Sequence, residues 1–351
     1  LALRGLRDKW EIPNSIAKRA TIIIDESGKH RQEQPTVPGA AASKKSSSGP
    51  LSKKWRVHLV NYNDSVAADE AIQGLIDGMK ASGLVIDRDF TLKQRNGQGD
   101  MATLNSIFDA AKADGADLFL IVSTPTLQMA IKKVRDIPIV FTYVSNPMLA
   151  GAGESYTNHL PNITGIAVVS AFSEMADLLK KYYPQFKRVG TLFCPAEVNS
   201  VYCKDLLVTE AAARGITVES LAVNSTTDLA DTSVALASLK IDAIVQISDN
   251  ITAGGFSAIG RAAQRAHLPL IGFNSSNIKF GAAVVISRDY YEGGLEAAEK
   301  AVRVMRGEDP AKIPFELVKK TQRLISLPNA AALGMTIPPG LKASADKVFE
   351  R

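Results

Sequence analysis

The sequence predicts a doubly wound α/β protein built as two lobes. Three observations carry this. Short apolar runs rich in Val and Ile alternate with amphipathic helical stretches from Trp55 onward, the alternation restarts midway through the chain, and its last units return toward the first block. Continuous apolar strands of five to eight residues suit a parallel sheet covered on both faces, with helices as the crossovers.

The elements follow in order. "WRVHLVNY" reads as a strand, and "SVAADEAIQGLIDGMKASG" as a helix, because Ala68, Ile72, Leu75, Ile76 and Met79 recur at helical spacing. "FTLKQR", "DLFLIVS" and "IPIVFTYV" are the next strands, separated by the helices "MATLNSIFDAAKADG" and "TLQMAIKKV". After "LPNITGIAVV" comes a second series: helix "SEMADLLKKYY", strand "RVGTLF", helix "SVYCKDLLVTEAAARG", strand "TVESLAV", helix "LADTSVALASLK", strand "DAIVQIS", helix "GGFSAIGRAAQRAH" and strand "LPLIGF". A final unit has strand "AAVVIS", a helix from Tyr290 to about Arg306, and a strand near "TQRLIS".

At 351 residues, 46% of them hydrophobic and 6% aromatic, the chain can fill two cores. No run reaches the roughly 18–20 apolar residues of a membrane helix. The net charge of +5 is concentrated at the start: residues 1–54 hold 11 of the 41 Lys and Arg but 5 of the 36 Asp and Glu. The remaining body is near neutral, so composition offers no nucleic-acid footprint. Residues 36–54, mostly Ala, Ser, Gly, Pro and Lys, read as a flexible linker. Cys194 and Cys203 allow either a bridge or two separate thiols, and the four His show no metal-ligand spacing.

In an open parallel sheet, ligands bind beyond the carboxyl ends of the strands. The residues there are polar in both halves: "NYNDS" (Tyr62, Asn63, Asp64), "STPT" (Ser123, Thr124), "SNP" (Asn146), "CPAEVNS" (Glu197, Asn199, Ser200), "SDN" (Asp249, Asn250) and "NSSN" (Asn274, Ser275). Helix capping favours the same residue types at the same places. Hydroxyls, amides and helix N-termini suit a carboxylate, while Asp249 or Glu197 suits an ammonium group, so the set fits a zwitterion. Tyr62 and Tyr143, also at strand ends, supply walls for an apolar side chain. Gly-x-Ser-x-Gly, His-Glu-x-x-His and Walker signatures are absent. The inventory points to binding, with no cofactor and no metal, rather than to catalysis.

The stretches "NDSVAADEAIQGLIDGMKASG", "NGQGD", "STPT", "IPIVFTYVSNPMLAG", "PNITGI", "PAEVNSV", "SDN", "FGAAVVISRDYYEGG" and "IPPGLKASADKVF" occur in this order across the body. Through them the chain resembles the solute-binding proteins of ABC transporters whose better-known members take up tryptophan, tyrosine or phenylalanine. The resemblance implies a type I periplasmic binding protein fold, with three crossovers near Thr164–Gly165, Phe273–Asn274 and Val318–Thr321. Lobe 1 would then comprise 55–164 and 274–318, and lobe 2 would comprise 165–273 and 319–351. It further implies an extracytoplasmic monomer, anchored or free, that captures a small solute by hinge closure and delivers it to a membrane permease. The ligand's carboxylate and amine would lie among Ser123, Thr124, Asn199, Ser200 and Asp249. Asn146 and Cys194 stand where relatives often have Asp and Asn, and relatives often carry an acidic residue in the "NSSN" stretch. The ligand need not be as cationic as theirs.

The opening "WEIPNSIAKRATIII" repeats the spacing of the closing "MTIPPGLKASADKVF": Ile-Pro, then Ile16 or Leu341, Ala20 or Ala345, Ile23 or Val348. Residues 1–35 are accordingly expected to be the tail of a preceding homologous module. Two other functions use related folds. A lactose-repressor-type regulator would place a helix-turn-helix ahead of this body, and "NSIAKRATI" is faintly similar to one helix of it. But "IIDESGKHRQEQP" follows where a recognition helix should stand. An enzyme on the same sheets would need motifs that are missing.

Overall fold

The computed structural model describes residues 51–351. The expected tail of a preceding module (1–35) and most of the expected linker lie outside the described residues. Of that linker, Leu51 packs on the first core and Lys53 Nζ lies 2.7 Å from Asp117 Oδ1.

The first half runs β1 (Trp55–Asn61), α1 (Val66–Ala81), β2 (Phe90–Asn96), α2 (Met101–Ala113), β3 (Leu118–Val122), α3 (Thr124–Lys133), β4 (Ile139–Val144) and β5 (Ile163–Ala167). The second runs α4 (Phe172–Tyr182), β6 (Arg188–Phe193), α5 (Val198–Ala212), β7 (Thr217–Ala222), α6 (Leu229–Ala237), β8 (Ala243–Gln246), α7 (Asn250–Gly254), α8 (Phe256–Arg265), β9 (Leu270–Gly272) and β10 (Val284–Arg288). The chain closes with α9 (Tyr290–Met305), β11 (Glu316–Leu317), β12 (Thr321–Ser326), α10 (Leu327–Ala332), α11 (Pro339–Ala343) and β13 (Lys347–Phe349).

Two sheets result. One has the order β11-β5-β4-β3-β1-β2 and the other β13-β12-β10-β9-β8-β6-β7. Every pairing is parallel except β10 with β12. The strands read as fully apolar because helices cover both faces; β3, "LFLIV", is buried along its whole length. Side chains on the two faces of the first sheet form separate clusters, around Leu59 and Val122 on one side and around Phe119 and Phe141 on the other. The second sheet is enclosed by one continuous core.

Helices α1 and α9 pack closely on the first sheet. A Cβ on Gly74 would sit 2.0 Å from the Tyr291 carbonyl oxygen, and one on Gly294 would sit 2.3 Å from that of Ala71. Glycine is required at both positions because backbone meets backbone there.

Where the chain changes sheets differs from two of the three expected points. β5 pairs with β4 through Ala167, so the first change follows residue 167 rather than Thr164–Gly165. β10 is hydrogen-bonded between β9 and β12, so residues 274–288 belong with the second sheet rather than with lobe 1. The chain leaves that sheet at Arg288–Asp289, where Asp289 caps α9. An apolar run carries no mark of which sheet it joins, and "AAVVIS" satisfies either. The third passage, from β11 to β12, spans Val318–Lys320.

Arg288 and Asp289 tie the three passages together. Arg288 Nε donates to the Val169 carbonyl at 3.1 Å, and Nη1 donates to Thr321 Oγ1. Asp289 accepts from Gln322 Nε2 and pairs with Lys320 at 3.0 Å.

Candidate functional site

Each sheet has one point at which its strand order reverses, and these points mark the candidate site. In the first sheet β2 and β3 lie on opposite sides of β1, and in the second β7 and β8 lie on opposite sides of β6. The helices leaving such strands diverge to opposite faces, which opens a crevice at the strand ends. Residues 61–65 and 123–126 stand at the first crevice, and 194–200 and 248–250 at the second.

The two crevices face each other. The cleft between them is lined by Thr124, Tyr143, Ser145, Val168, Ser170, Asn199, Cys203, Ser248, Asp249, Asn250 and Tyr290. None of these is Lys, Arg or His. The free space is small, about 20 Å³, near the room one water needs. Hydrogen bonds join the walls directly: Asn63 Nδ2 donates to the Asn250 carbonyl at 2.9 Å, Ser275 Oγ to Glu70 Oε2 at 2.9 Å, and Tyr290 OH to Ser248 Oγ at 3.2 Å.

Two residues on the first wall hold strained backbone. Ser123 has φ 91° and Tyr143 φ 57°, the region that favours glycine. At Tyr143 the β4–β5 register shifts between Phe141 and Val144, an irregularity of the kind that re-aims a side chain. The Tyr143 ring meets that of Tyr290 edge-on, with centroids 5.0 Å apart. Burial pushes both hydroxyls well above the usual tyrosine range.

The second wall is a network of acceptors. Asp249 caps α7: its Oδ1 accepts from Thr252 N and Oγ1, both at 2.7 Å, and its Oδ2 from Ser200 Oγ at 2.6 Å. Ser200 Oγ in turn accepts from the Cys194 backbone at 2.8 Å. Glu197 stands behind the wall, where its Oε2 accepts from Asn199 Nδ2 (3.0 Å) and Asn250 Nδ2 (2.7 Å). Glu197 Oε1 and Asn199 Oδ1 are buried and have no hydrogen-bond partner among the described residues. Burial, and then the neighbouring Asp249, push the Glu197 carboxyl up to about 7. Burial raises Asp249 as well, against the opposing pull of Ser200 and Thr252. Cys194 and Cys203 are separate buried thiols.

Of the residues singled out from sequence, Thr124, Tyr143, Asn199, Asp249 and Asn250 line the cleft. Ser200 and Glu197 hold that lining in place, and Asn63 bridges the walls. Ser123 is buried beside Thr126, its Oγ 3.0 Å from Oγ1. Ser275 bridges to Glu70 at the cleft's edge.

The others are occupied locally. Tyr62 OH donates to the Gly99 carbonyl at 2.6 Å, and exposed Asp64 accepts from Asn96. Asn146 Oδ1 accepts from the backbone of Met148 and Leu149, and Asn274 closes a capping box over Ser275–Phe280. Asn274 Oδ1 is taken up by Ser276 N and Oγ of its own turn, so here capping outweighs lining.

Six lining residues were not singled out: Ser145, Val168, Ser170, Cys203, Ser248 and Tyr290. Ser145 and Ser248 lay inside stretches already marked by the strand-end rule. Tyr290 had a legible signal, since it opens the helix that follows the apolar run "AAVVIS". Val168 and Ser170 sit in the first passage between sheets, which no local pattern announces.

Comparison with known proteins bears on the same body. Residues 57–349 match the family model described as ABC transporter substrate binding protein. The chain is 26% identical over 312 residues to a tyrosine-binding protein of Clostridioides difficile, covering 88% of each. It superposes with a TM-score of 0.81 on a conserved domain protein from Vibrio cholerae, 28% identical over 84% of this chain and 100% of that one. An ABC domain in complex with L-Trp from Streptococcus pneumonia gives a TM-score of 0.81 at 24% identity, covering 85% of this chain and 100% of that one. The ligand-free, open structure of a substrate binding protein with adhesive properties from Clostridium difficile gives 0.65 at 25%, covering 85% and 100%. With two reversal points facing across one cleft and a family match spanning both sheets, the chain belongs to the substrate binding proteins of ABC transporters, which pair a small-molecule ligand with a membrane permease.

Proposed function

We propose that the cleft captures one amino acid with an apolar or aromatic side chain and that the protein passes it to its permease. The unpartnered, buried Asn199 Oδ1 on the cleft wall is the observation that carries this reading. A bare acceptor beside Asp249 costs about 1–3 kcal/mol unless a donor reaches it, and an ammonium group is such a donor. The Thr124 N-terminus of α3 suits the carboxylate. Tyr143, Tyr290 and Val168 suit an apolar side chain. The name of the tyrosine-binding relative supports the same class.

The lobes must part to admit a ligand of this size. Parting breaks the Asn63–Asn250 and Tyr290–Ser248 hydrogen bonds, each worth about 0.5–1.5 kcal/mol, and the Ser275–Glu70 bond to a carboxylate, worth about 1.5–3 kcal/mol. Those are small enough for thermal opening, and a ligand touching both walls favours reclosure. The protein on this reading works as a monomer outside the cytoplasm, without catalysis, and follows a homologous module in the longer chain. Reading the upstream coding sequence for a second "STPT…SNP…NITG" series tests the last point.

A thermal-shift screen of the common amino acids, small carboxylates, purines and sugars tests the ligand class. Bound ligand raises the midpoint by mass action. The expected responders are tyrosine, tryptophan and phenylalanine. Response to sugars alone, with none to any amino acid, would contradict the proposal.

A further inference from the structure

Glu197 and Asp249 stand on neighbouring turns of the second lobe, after β6 and β8, and their surroundings divide them. Asp249 receives donors on both oxygens, from Ser200 and Thr252. Glu197 is supplied on one oxygen only, and its Oε1 is bare in the interior. Hydrogen bonds to the charged form favour ionised Asp249. Burial and the Asp249 charge together favour a proton on Glu197, whose carboxyl is raised to about 7.

Among the described residues, no cation faces the pair from the elements packed around it. Tyr62 after β1 and Tyr143 on β4 face it from the first lobe, and Cys194 and Cys203 from the second. Tyr290 of α9 reaches Ser248, next to Asp249. Lys204, on α5, turns to Asp205 and to the Phe193 ring. Two buried carboxylates without a counter-charge cannot both ionise cheaply.

We propose that ligand capture is coupled to proton release: the ligand's ammonium group, arriving at the Asn199–Asp249 wall, lets Glu197 ionise, and its proton passes to solvent. This rests on the amino-acid reading of the cleft. The ammonium keeps its own three protons, no bond other than the Glu197 O–H breaks, and the closed complex carries the one new positive charge that the second carboxylate needs. Glu197 acts as a positioning residue, because it grips Asn199 and Asn250 from behind. Ionisation strengthens both of those bonds while the ligand is held.

Calorimetry with L-tyrosine, L-tryptophan and L-phenylalanine at pH 6, in phosphate and in imidazole buffer, tests the coupling. The expected result is a buffer-dependent heat equal to nearly one proton released. Affinity should rise about tenfold from pH 6 to pH 8, since the free protein holds the proton and the complex does not. Glu197→Gln should bind with a flat pH profile and no buffer dependence. If that variant fails to fold, the two-buffer comparison on the parent protein decides. Tight binding with equal heats in both buffers overturns the coupling and leaves the ligand reading standing. Absence of binding by these three and by every apolar amino acid overturns both.

Discussion

The Asn63 side-chain amide donates to the Asn250 carbonyl at 2.9 Å, and this bond joins the turn after β1 to the start of α7 across the cleft. The two residues are 187 positions apart in sequence, so the bond exists only when the lobes meet. Asn63→Ala should therefore weaken closure without weakening either lobe. Ligand affinity is expected to fall roughly two- to tenfold, the equivalent of one hydrogen bond, while the ligand-free melting midpoint stays put. Calorimetry and a melt together check this. A lowered midpoint with unchanged affinity would reassign Asn63 to folding.

Tyr290 makes two separable contributions, a hydroxyl bond to Ser248 across the cleft and a ring contact with Tyr143. Tyr290→Phe removes the first and should cost affinity two- to tenfold. Tyr290→Ala removes both, empties a buried site and should also destabilise the fold by about 3–5 kcal/mol. Ligand titration and urea unfolding of the pair separate the effects.

Arg288 binds the Val169 carbonyl and Thr321, joining all three passages between the sheets. Arg288→Ala frees them from one another. Solution scattering without ligand is expected to show a larger radius of gyration than the parent, and faster ligand release should follow. Identical scattering curves would show that the passages move independently of this side chain.

Gly74→Ala places a methyl on the Tyr291 carbonyl oxygen. Backbone cannot yield as a side chain does, so the cost should reach about 3 kcal/mol, the upper end of overpacking effects. A melting midpoint several degrees lower is the expected result. An unchanged midpoint would mean that α1 and α9 are less tightly apposed.

Asp117 fixes the start of β1 by accepting from Arg56 N and Nε and from Lys53 Nζ. Burial alone would push its carboxyl up, but these donors outweigh it and hold it well below the usual range. A folded value below the unfolded one stabilises at pH above the unfolded value of about 3.9 and is lost as pH falls through the folded value. Lys53 and Arg56 are half-exposed, so solvent screening keeps the contribution of these ion pairs small. Asp117→Asn should show a small deficit at pH 7 in urea unfolding, and the gap should close in strong acid.

Much of the cleft lining was legible at the level of turns. The rule that ligands lie beyond strand carboxyl ends marked Thr124, Asn199, Asp249 and Asn250, all of which line the cleft. The same rule marked Asn274 and Asn146, which serve their own turns. Capping and lining ask for the same short polar side chains, so residue type cannot separate them. Which turns the two sheets bring face to face does separate them, and that is a long-range property. Asp249 does both, capping α7 while lining the cleft.

By itself, the sequence determined the α/β alternation, the helix faces and the polar turns, because these depend on spacing within a few residues. Tertiary structure decided that β10 joins the second sheet, that the chain changes sheets at Arg288–Asp289, and that Glu197 and Asp249 share one interior without a cation. Strand partners and buried charge environments are set by which segments meet in space, and an apolar pentapeptide or a single Glu reads the same in either setting.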